Sequence, residues 1–110
     1  VDISGFLEDN TVNFKDAEII SKESFSLKEN YPNPFNPATT IKFKIHRSSL
    51  ITLEVFNVNG QKIATLINNE LISPGIKEVT FDGSELSSGI YFYLLSAGEY
   101  KKTGRMLLIK

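Results

Sequence analysis

The sequence predicts an all-β chain folded as an antiparallel sandwich of about seven strands. Three observations lead there. Apolar and polar residues alternate with a period of two over several stretches, turn residues recur roughly every eight to twelve positions, and no stretch keeps a helical period. The chain has 110 residues, one domain's worth, and can bury a modest core.

The elements follow in order. Residues 1–24 carry short apolar pieces, Val1-Asp2-Ile3, Val12-Asn13-Phe14 and Ala17-Glu18-Ile19-Ile20, broken by acids, Gly5 and Asn10. They read as a linker or as the tail of a preceding domain, with an extra strand wrapped onto the module as the alternative. The module itself is expected over residues 25–110. Soon after Phe25 comes Asn30-Tyr31-Pro32-Asn33-Pro34-Phe35-Asn36-Pro37. Prolines 32, 34 and 37 fix φ and push the residue before each into extended geometry. Such a segment cannot be helical and cannot donate a full sheet ladder. It reads as a stiff, extended arm, with Tyr31 and Phe35 expected to pack against the sandwich.

From Thr39 the alternation is plain. Ile41, Phe43 and Ile45 alternate with Lys42 and Lys44, then Ile51, Leu53 and Val55 with Thr52 and Glu54, as half-buried strands require. Asn59-Gly60 offers two residues that tolerate positive φ, a strong hairpin signal, and residues 62–67 return as the partner strand. Pro74-Gly75 turns the chain into a strand over 76–81, and Asp82-Gly83-Ser84 turns it again. Ile90-Tyr91-Phe92-Tyr93-Leu94-Leu95 is apolar on both faces. That pattern fits a strand covered on both sides, or one bordering an assembly surface. Ala97-Gly98-Glu99 is a tight connection to a last strand over 100–109.

Composition excludes several functions. Cysteine is absent, so neither disulfides nor thiol chemistry are available. No apolar run is long enough to span a bilayer as a helix. With no initiator Met and no signal peptide pattern, the chain reads as a piece of a larger precursor. Residues 1–29 hold seven acids and three bases, leaving −4, while residues 30–110 hold six acids and nine bases, leaving +3. An acidic lead followed by a mildly basic module suggests two parts, and neither charge suits nucleic acid.

Catalysis has little to work with. His46 is the single histidine, set at a strand end with no nearby acid to orient it. Serines 84, 87, 88 and 96 lie in turns or strand ends, where serine bonds locally. Asp82, Glu85 and Glu99 flank turns and could meet a calcium ion only if their loops converged, and no spaced acidic loop is present. Lys101, Lys102, Arg105 and Lys110 read as a solvated face that guards an edge strand, or as a docking strip for an acidic partner or an anionic surface. Tyr91, Phe92, Tyr93 and Tyr100 read as core, or as a row of rings for stacking on sugars.

Tyr31-Pro32-Asn33-Pro34-Phe35-Asn36-Pro37 followed by Thr39-Thr40-Ile41-Lys42-Phe43 resembles the opening of the C-terminal sorting domains of type IX (Por) secretion substrates, type A, found in Bacteroidetes and related bacteria. The resemblance continues through Val55 to Ile63, resumes over Leu86-Ser87-Ser88-Gly89-Ile90-Tyr91-Phe92-Tyr93 and runs to Lys110. Three positions depart from the family's pattern. Gln61 stands where Arg or Lys usually follows the turn glycine, Gly104 where Lys is common, and His46 where a Pro often ends the strand. The resemblance implies an immunoglobulin-like sandwich that acts as a non-catalytic secretion signal; from the residues themselves, without cysteine or a metal-ligand cluster, neither metal nor cofactor is expected. Its implied partners are the preceding cargo domain, the outer-membrane type IX machinery and a sortase-like protease that cuts upstream of Phe25. The implied destination, through the periplasm, is the cell surface or the medium. The candidate recognition residues are Tyr31, Pro32, Asn33, Pro34, Phe35, Asn36 and Pro37, with Gly60, Lys102, Arg105 and Lys110. The competing reading is an immunoglobulin-like accessory module that binds carbohydrate or a protein partner for a secreted enzyme.

Overall fold

The computed structural model describes residues 25–110, and the linker expected over residues 1–24 lies outside them. Seven strands run β1 (Phe25–Leu27), β2 (Ala38–Ile45), β3 (Ser49–Phe56), β4 (Lys62–Ile72), β5 (Gly75–Asp82), β6 (Gly89–Ala97) and β7 (Tyr100–Leu108). They form two antiparallel sheets, ordered β1-β2-β5 and β4-β3-β6-β7. This is an immunoglobulin-like sandwich.

The period-two pattern sets the core. Ile41, Phe43 and Ile45 on β2 face Ile51, Leu53 and Val55 on β3 and Tyr91, Tyr93 and Leu95 on β6, all buried. Met106 and Leu108 close the core from β7, and Phe25, Phe35 and Phe81 add three rings. Each fully buried side chain of this size contributes about 1.5–3 kcal/mol relative to exposure.

Four expectations change. The β3–β4 hairpin does not use two positive-φ residues, because Gly60 alone takes φ 83° while Asn59 does not. Gly60 N–H donates to Asn57 O and Asn57 N–H to Gln61 O, both 3.0 Å, a turn closed by one left-handed residue. The Asn57 Oδ1 then accepts from both Asn59 and Gln61 amides, which leaves Asn59 no need of that conformation. Second, β4 continues to Ile72 rather than stopping at Ile67. Asn68 and Asn69 form a bulge within it, since Ile51 pairs Glu70 and Leu53 pairs Ile67. Asn69 takes φ 51° and its N–H donates to Thr52 Oγ1 at 3.1 Å.

Third, β6 is not covered on both sides. Tyr91, Tyr93 and Leu95 point inward, while Ile90, Phe92 and Leu94 alternate outward onto an open face. The same alternation separates the four aromatic residues of this region. Tyr91 and Tyr93 are core, and Phe92 and Tyr100 are not, so they make no row of rings.

Fourth, the proline arm is bent rather than straight. Its three X–Pro bonds are cis. Tyr31 bridges Thr40 on β2, and Phe35 bridges Leu108 on β7 in parallel. The arm therefore passes from one sheet to the other over the open flank of the sandwich, and a path anchored to both sheets must turn.

Candidate recognition surface

The arm divides into side chains that build the fold and side chains that the fold displays. Phe35 is 2% exposed and meets Phe81 edge-on, ring centroids 6.2 Å apart. Its N–H donates to Leu107 O at 2.9 Å, and its carbonyl accepts from Ile109 N–H at 3.0 Å. Asn33 extends the same contact, donating from Nδ2 to Arg105 O at 3.2 Å and accepting from Leu107 N–H at 3.0 Å. Together they close the outer edge of β7 from Arg105 to Ile109, an edge that would otherwise invite another chain.

A second anchor lies under Tyr31. Asn30 and Thr39 are both 2% exposed. The Asn30 Nδ2 donates to Thr39 Oγ1 at 3.0 Å, and Thr39 Oγ1 donates to Pro32 O at 2.8 Å. Backbone bonds between Tyr31 and Thr40, 2.9 Å in each direction, complete the clamp. Tyr93 reaches it from β6: its Oη accepts from Asn30 N–H and donates to Lys28 O, both 3.1 Å. Burial raises the Tyr93 pKa above its ordinary value, and the charge of Glu29 adds to this against the lowering bond from Asn30 N–H. The ring lies over Gly104, where a Cβ would overlap it. Glycine at 104 thus has a packing reason, and a lysine there is incompatible with Tyr93 in this position.

With these anchors in place, Tyr31 itself is 80% exposed. It does not pack on the sandwich as expected, because the clamp holds its backbone and leaves the ring outside. Pro32, Pro34, Asn36 and Pro37 are also exposed. Tyr31 lies between two shallow grooves. One, of about 500 Å³, is lined by Lys28, Glu29, Thr40, Lys42 and Glu78; the other, of about 450 Å³, follows the backbone from Glu29 to Pro34. Lys42 and Glu78 pair at 3.5 Å across β2 and β5. Thr40, Lys42 and Glu78 are neighbours that the sequence alone did not single out, since the Tyr31–Thr40 bridge and the β2–β5 register bring them to the arm.

The remaining candidates scatter. Arg105 adjoins the arm through the bond from Asn33 to its carbonyl. Lys102 opposes Leu95 on the inward side of β7, its Nζ 5.8 Å from the Phe25 ring, whereas Lys101 and Arg105 are on the outward side. The four cations therefore make no single strip. Lys110 is tied to the β5–β6 loop, its Nζ donating to Ser84 O at 2.6 Å and its N–H to Ser88 Oγ at 2.9 Å. At the end of β5 Asp82 accepts from the Ser84 hydroxyl and amide, which lower its pKa; burial opposes them, and the charge of Lys110 adds a lesser lowering. Gly60 is separated from the arm by β6 and β7. His46 is exposed in the β2–β3 turn. Among the described residues no three metal-ligating side chains gather.

Residues 29–110 match the family described as the secretion system C-terminal sorting domain, the sorting domains of type IX secretion. The chain belongs to that family. Comparison with curated proteins finds no match. Solved structures similar to this sorting domain include an uncharacterized protein from Bacillus anthracis str. Ames, with 10% identity and a TM-score of 0.58 over 74% of this chain and 81% of that one. Dimeric latent PorU from Porphyromonas gingivalis matches at 12% identity and a TM-score of 0.56, over 77% of this chain but 9% of the PorU chain. CopC from Methylosinus trichosporium OB3b matches at 12% identity and a TM-score of 0.50, over 76% of this chain and 92% of that one. At these identities the likeness is one of fold. For the sorting domain, residue-level argument rests on its own side chains.

Proposed function

We propose that residues 25–110 are a non-catalytic secretion signal that type IX machinery at the outer membrane reads as a folded module. The machinery carries the parent protein through the periplasm to the cell surface or medium. A sortase-like protease then cuts the acidic stretch before Phe25. One observation carries the reading. The arm spends Asn30, Asn33, Phe35 and Thr39 on holding itself in place, and the result is a tyrosine ring left 80% in water. Docking such a ring into a partner's pocket buries on the order of 150–250 Å², and rigid aromatic anchors are where binding energy concentrates. The prolines and the clamp limit the ordering cost of that docking.

The test is a fusion of residues 22–110 behind an exported reporter in a type IX-competent cell. The wild-type fusion should reach the medium or surface. Tyr31→Ala should retain the reporter in the periplasm while the purified module keeps its stability. Export that is indifferent to Tyr31 removes the arm from recognition. Export that is indifferent to the whole module, with binding of the module to a polysaccharide, favours the accessory-module reading instead.

A further inference from the structure

Two places in residues 25–110 set an amide or acid side chain directly before a glycine, Asn59-Gly60 and Asp82-Gly83. Such a pair is prone to cyclise, because glycine has no Cβ to keep its amide nitrogen off the preceding side-chain carbonyl carbon. The fold treats the two in opposite ways. Gly83 is buried, its N–H donates to Pro37 O at 2.8 Å, and a Cβ there would stand 3.2 Å from Leu108 and 3.3 Å from the Phe35 ring. The Ser84 hydroxyl and amide hold the Asp82 pKa down and so keep the carboxylate ionised, the form that resists attack by nitrogen. That pair is walled in.

Asn59-Gly60 stands at the tip of the β3–β4 hairpin with both residues exposed. Among the described residues nothing comes within 4 Å of where a Gly60 Cβ would be. The side-chain bonds of this turn fall on Asn57 instead. Its Oδ1 accepts from the Asn59 and Gln61 amides and its Nδ2 donates to Gln61 Oε1 at 2.8 Å. Asn57 is thus pinned, and the β-branched Val58 follows it. Asn33 and Asn36 precede prolines, whose nitrogens carry no proton to lose. One restraint acts on Gly60, whose N–H donates to Asn57 O at 3.0 Å. A single exposed bond of that kind slows a step by about two- to tenfold.

We propose that Asn59 is a site of spontaneous modification, at which the Gly60 nitrogen closes on the Asn59 side chain and converts it to aspartate or isoaspartate. The Gly60 nitrogen loses its proton to solvent and bonds to Asn59 Cγ. The bond from Cγ to the side-chain nitrogen breaks, ammonia leaves, and a succinimide ring remains. Water then opens the ring. Addition at Cγ gives aspartate, and addition at the main-chain carbonyl gives isoaspartate, with the backbone rerouted through the former side chain. Either product adds one negative charge to the formal −1 of the chain. Isoaspartate also lengthens the link to Gly60 by one carbon and so displaces the Gly60 and Gln61 amides from Asn57. The Phe56–Lys62 pairing and the core behind it are spared. The tip lies across β6 and β7 from the arm, so the proposal stands independently of the sorting reading.

The full chain, incubated at mildly alkaline pH either folded or in urea and then mapped by peptide mass spectrometry, tests it. In the folded chain Asn59 should convert at least about tenfold faster than any other asparagine, and within about tenfold of its own rate in urea. Isomerisation at Asp82 should emerge only in urea. Gly60→Ala places a methyl beside the attacking nitrogen and should slow conversion, and Asn59→Gln, which must close a larger ring, should remove the acidic product. Circular dichroism shows that each variant is folded. An Asn59 that converts in urea but stays intact in the folded chain overturns the proposal. So does earlier conversion of another asparagine, or an acidic product that persists in Asn59→Gln.

Discussion

Replacing Gly104 with alanine sets a Cβ into space that the Tyr93 ring occupies. The ring cannot step aside freely: its Oη is held at 3.1 Å by both Asn30 N–H and Lys28 O, and the residue is 1% exposed. If the ring stays, backbone and side chains distort, at the about 1–3 kcal/mol typical of an overpacked core. If it moves, two hydrogen bonds worth about 0.5–1.5 kcal/mol each are broken, and the buried Asn30 amide is left without its partner. Both routes give a loss of about 1–3 kcal/mol, which for a domain of this size lowers Tm by roughly 4–24 °C. Urea unfolding followed by circular dichroism measures it. Gly104→Lys, the residue that the family resemblance leads one to expect, should cost at least as much. The reasoning contains its own control, because in a Tyr93→Ala background the same glycine substitution has nothing to strike and the two effects should not add. A Gly104→Ala protein within about 0.5 kcal/mol of wild type would refute the account.

Three further outcomes are expected. Phe35→Ala, which empties a buried site against Phe81, should cost about 3–5 kcal/mol in the same unfolding assay. Tyr31→Ala should stay within about 0.5 kcal/mol of wild type, since the ring it removes is solvated and the clamp beneath uses the backbone; a large loss there would mean that the ring packs after all. Tyr93 ties stability to alkaline pH. Its folded pKa lies above the ordinary value of 10.0, so its contribution is present below that value and is lost as pH rises through the folded pKa. Alkaline unfolding should therefore be steeper for wild type than for Tyr93→Phe, and identical profiles would count against the buried hydroxyl.

The sheets were legible from the sequence because one buried face forces strict alternation, as at Ile41, Phe43 and Ile45. The arm was legible as an irregular, proline-stiffened segment, but its fate was not. Tyr31 and Phe35 look alike in sequence, four residues apart, and only the separate bridges to Thr40 and Leu108 send one ring out and the other in. The bulge at Asn69 hid behind residues that usually make turns, and the Tyr93–Gly104 contact needs the β6–β7 register to be seen at all. Charge gave the weakest guide. Lys101, Lys102, Arg105 and Lys110 are close in sequence, yet strand alternation and the tie of Lys110 to Ser84 direct them to different surfaces.

That dispersal decides how loss of the last five residues should be interpreted. Deleting Met106–Lys110 removes two side chains at 0% exposure, Met106 and Leu108. It also removes the backbone groups of Leu107 and Ile109 that bond Asn33 and Phe35. Each lost core side chain is worth about 2–5 kcal/mol, and the stability of such a domain is about 5–15 kcal/mol in all. The truncated module should therefore be unfolded or nearly so, its arm untied, and any export failure would reflect folding rather than a missing signal. Lys110→Ala is the informative partner. It keeps the N–H bond to Ser88 Oγ and loses an exposed side-chain bond to Ser84 O and a solvent-screened attraction to Asp82, so stability should change by less than about 1 kcal/mol. Export of the Lys110→Ala fusion at near wild-type level, beside a failed and unfolded truncation, is the expected pair of results. A stable Lys110→Ala module that is not exported would instead make the lysine itself part of what the machinery reads, and would move the recognition surface from the arm to the β5–β6 loop.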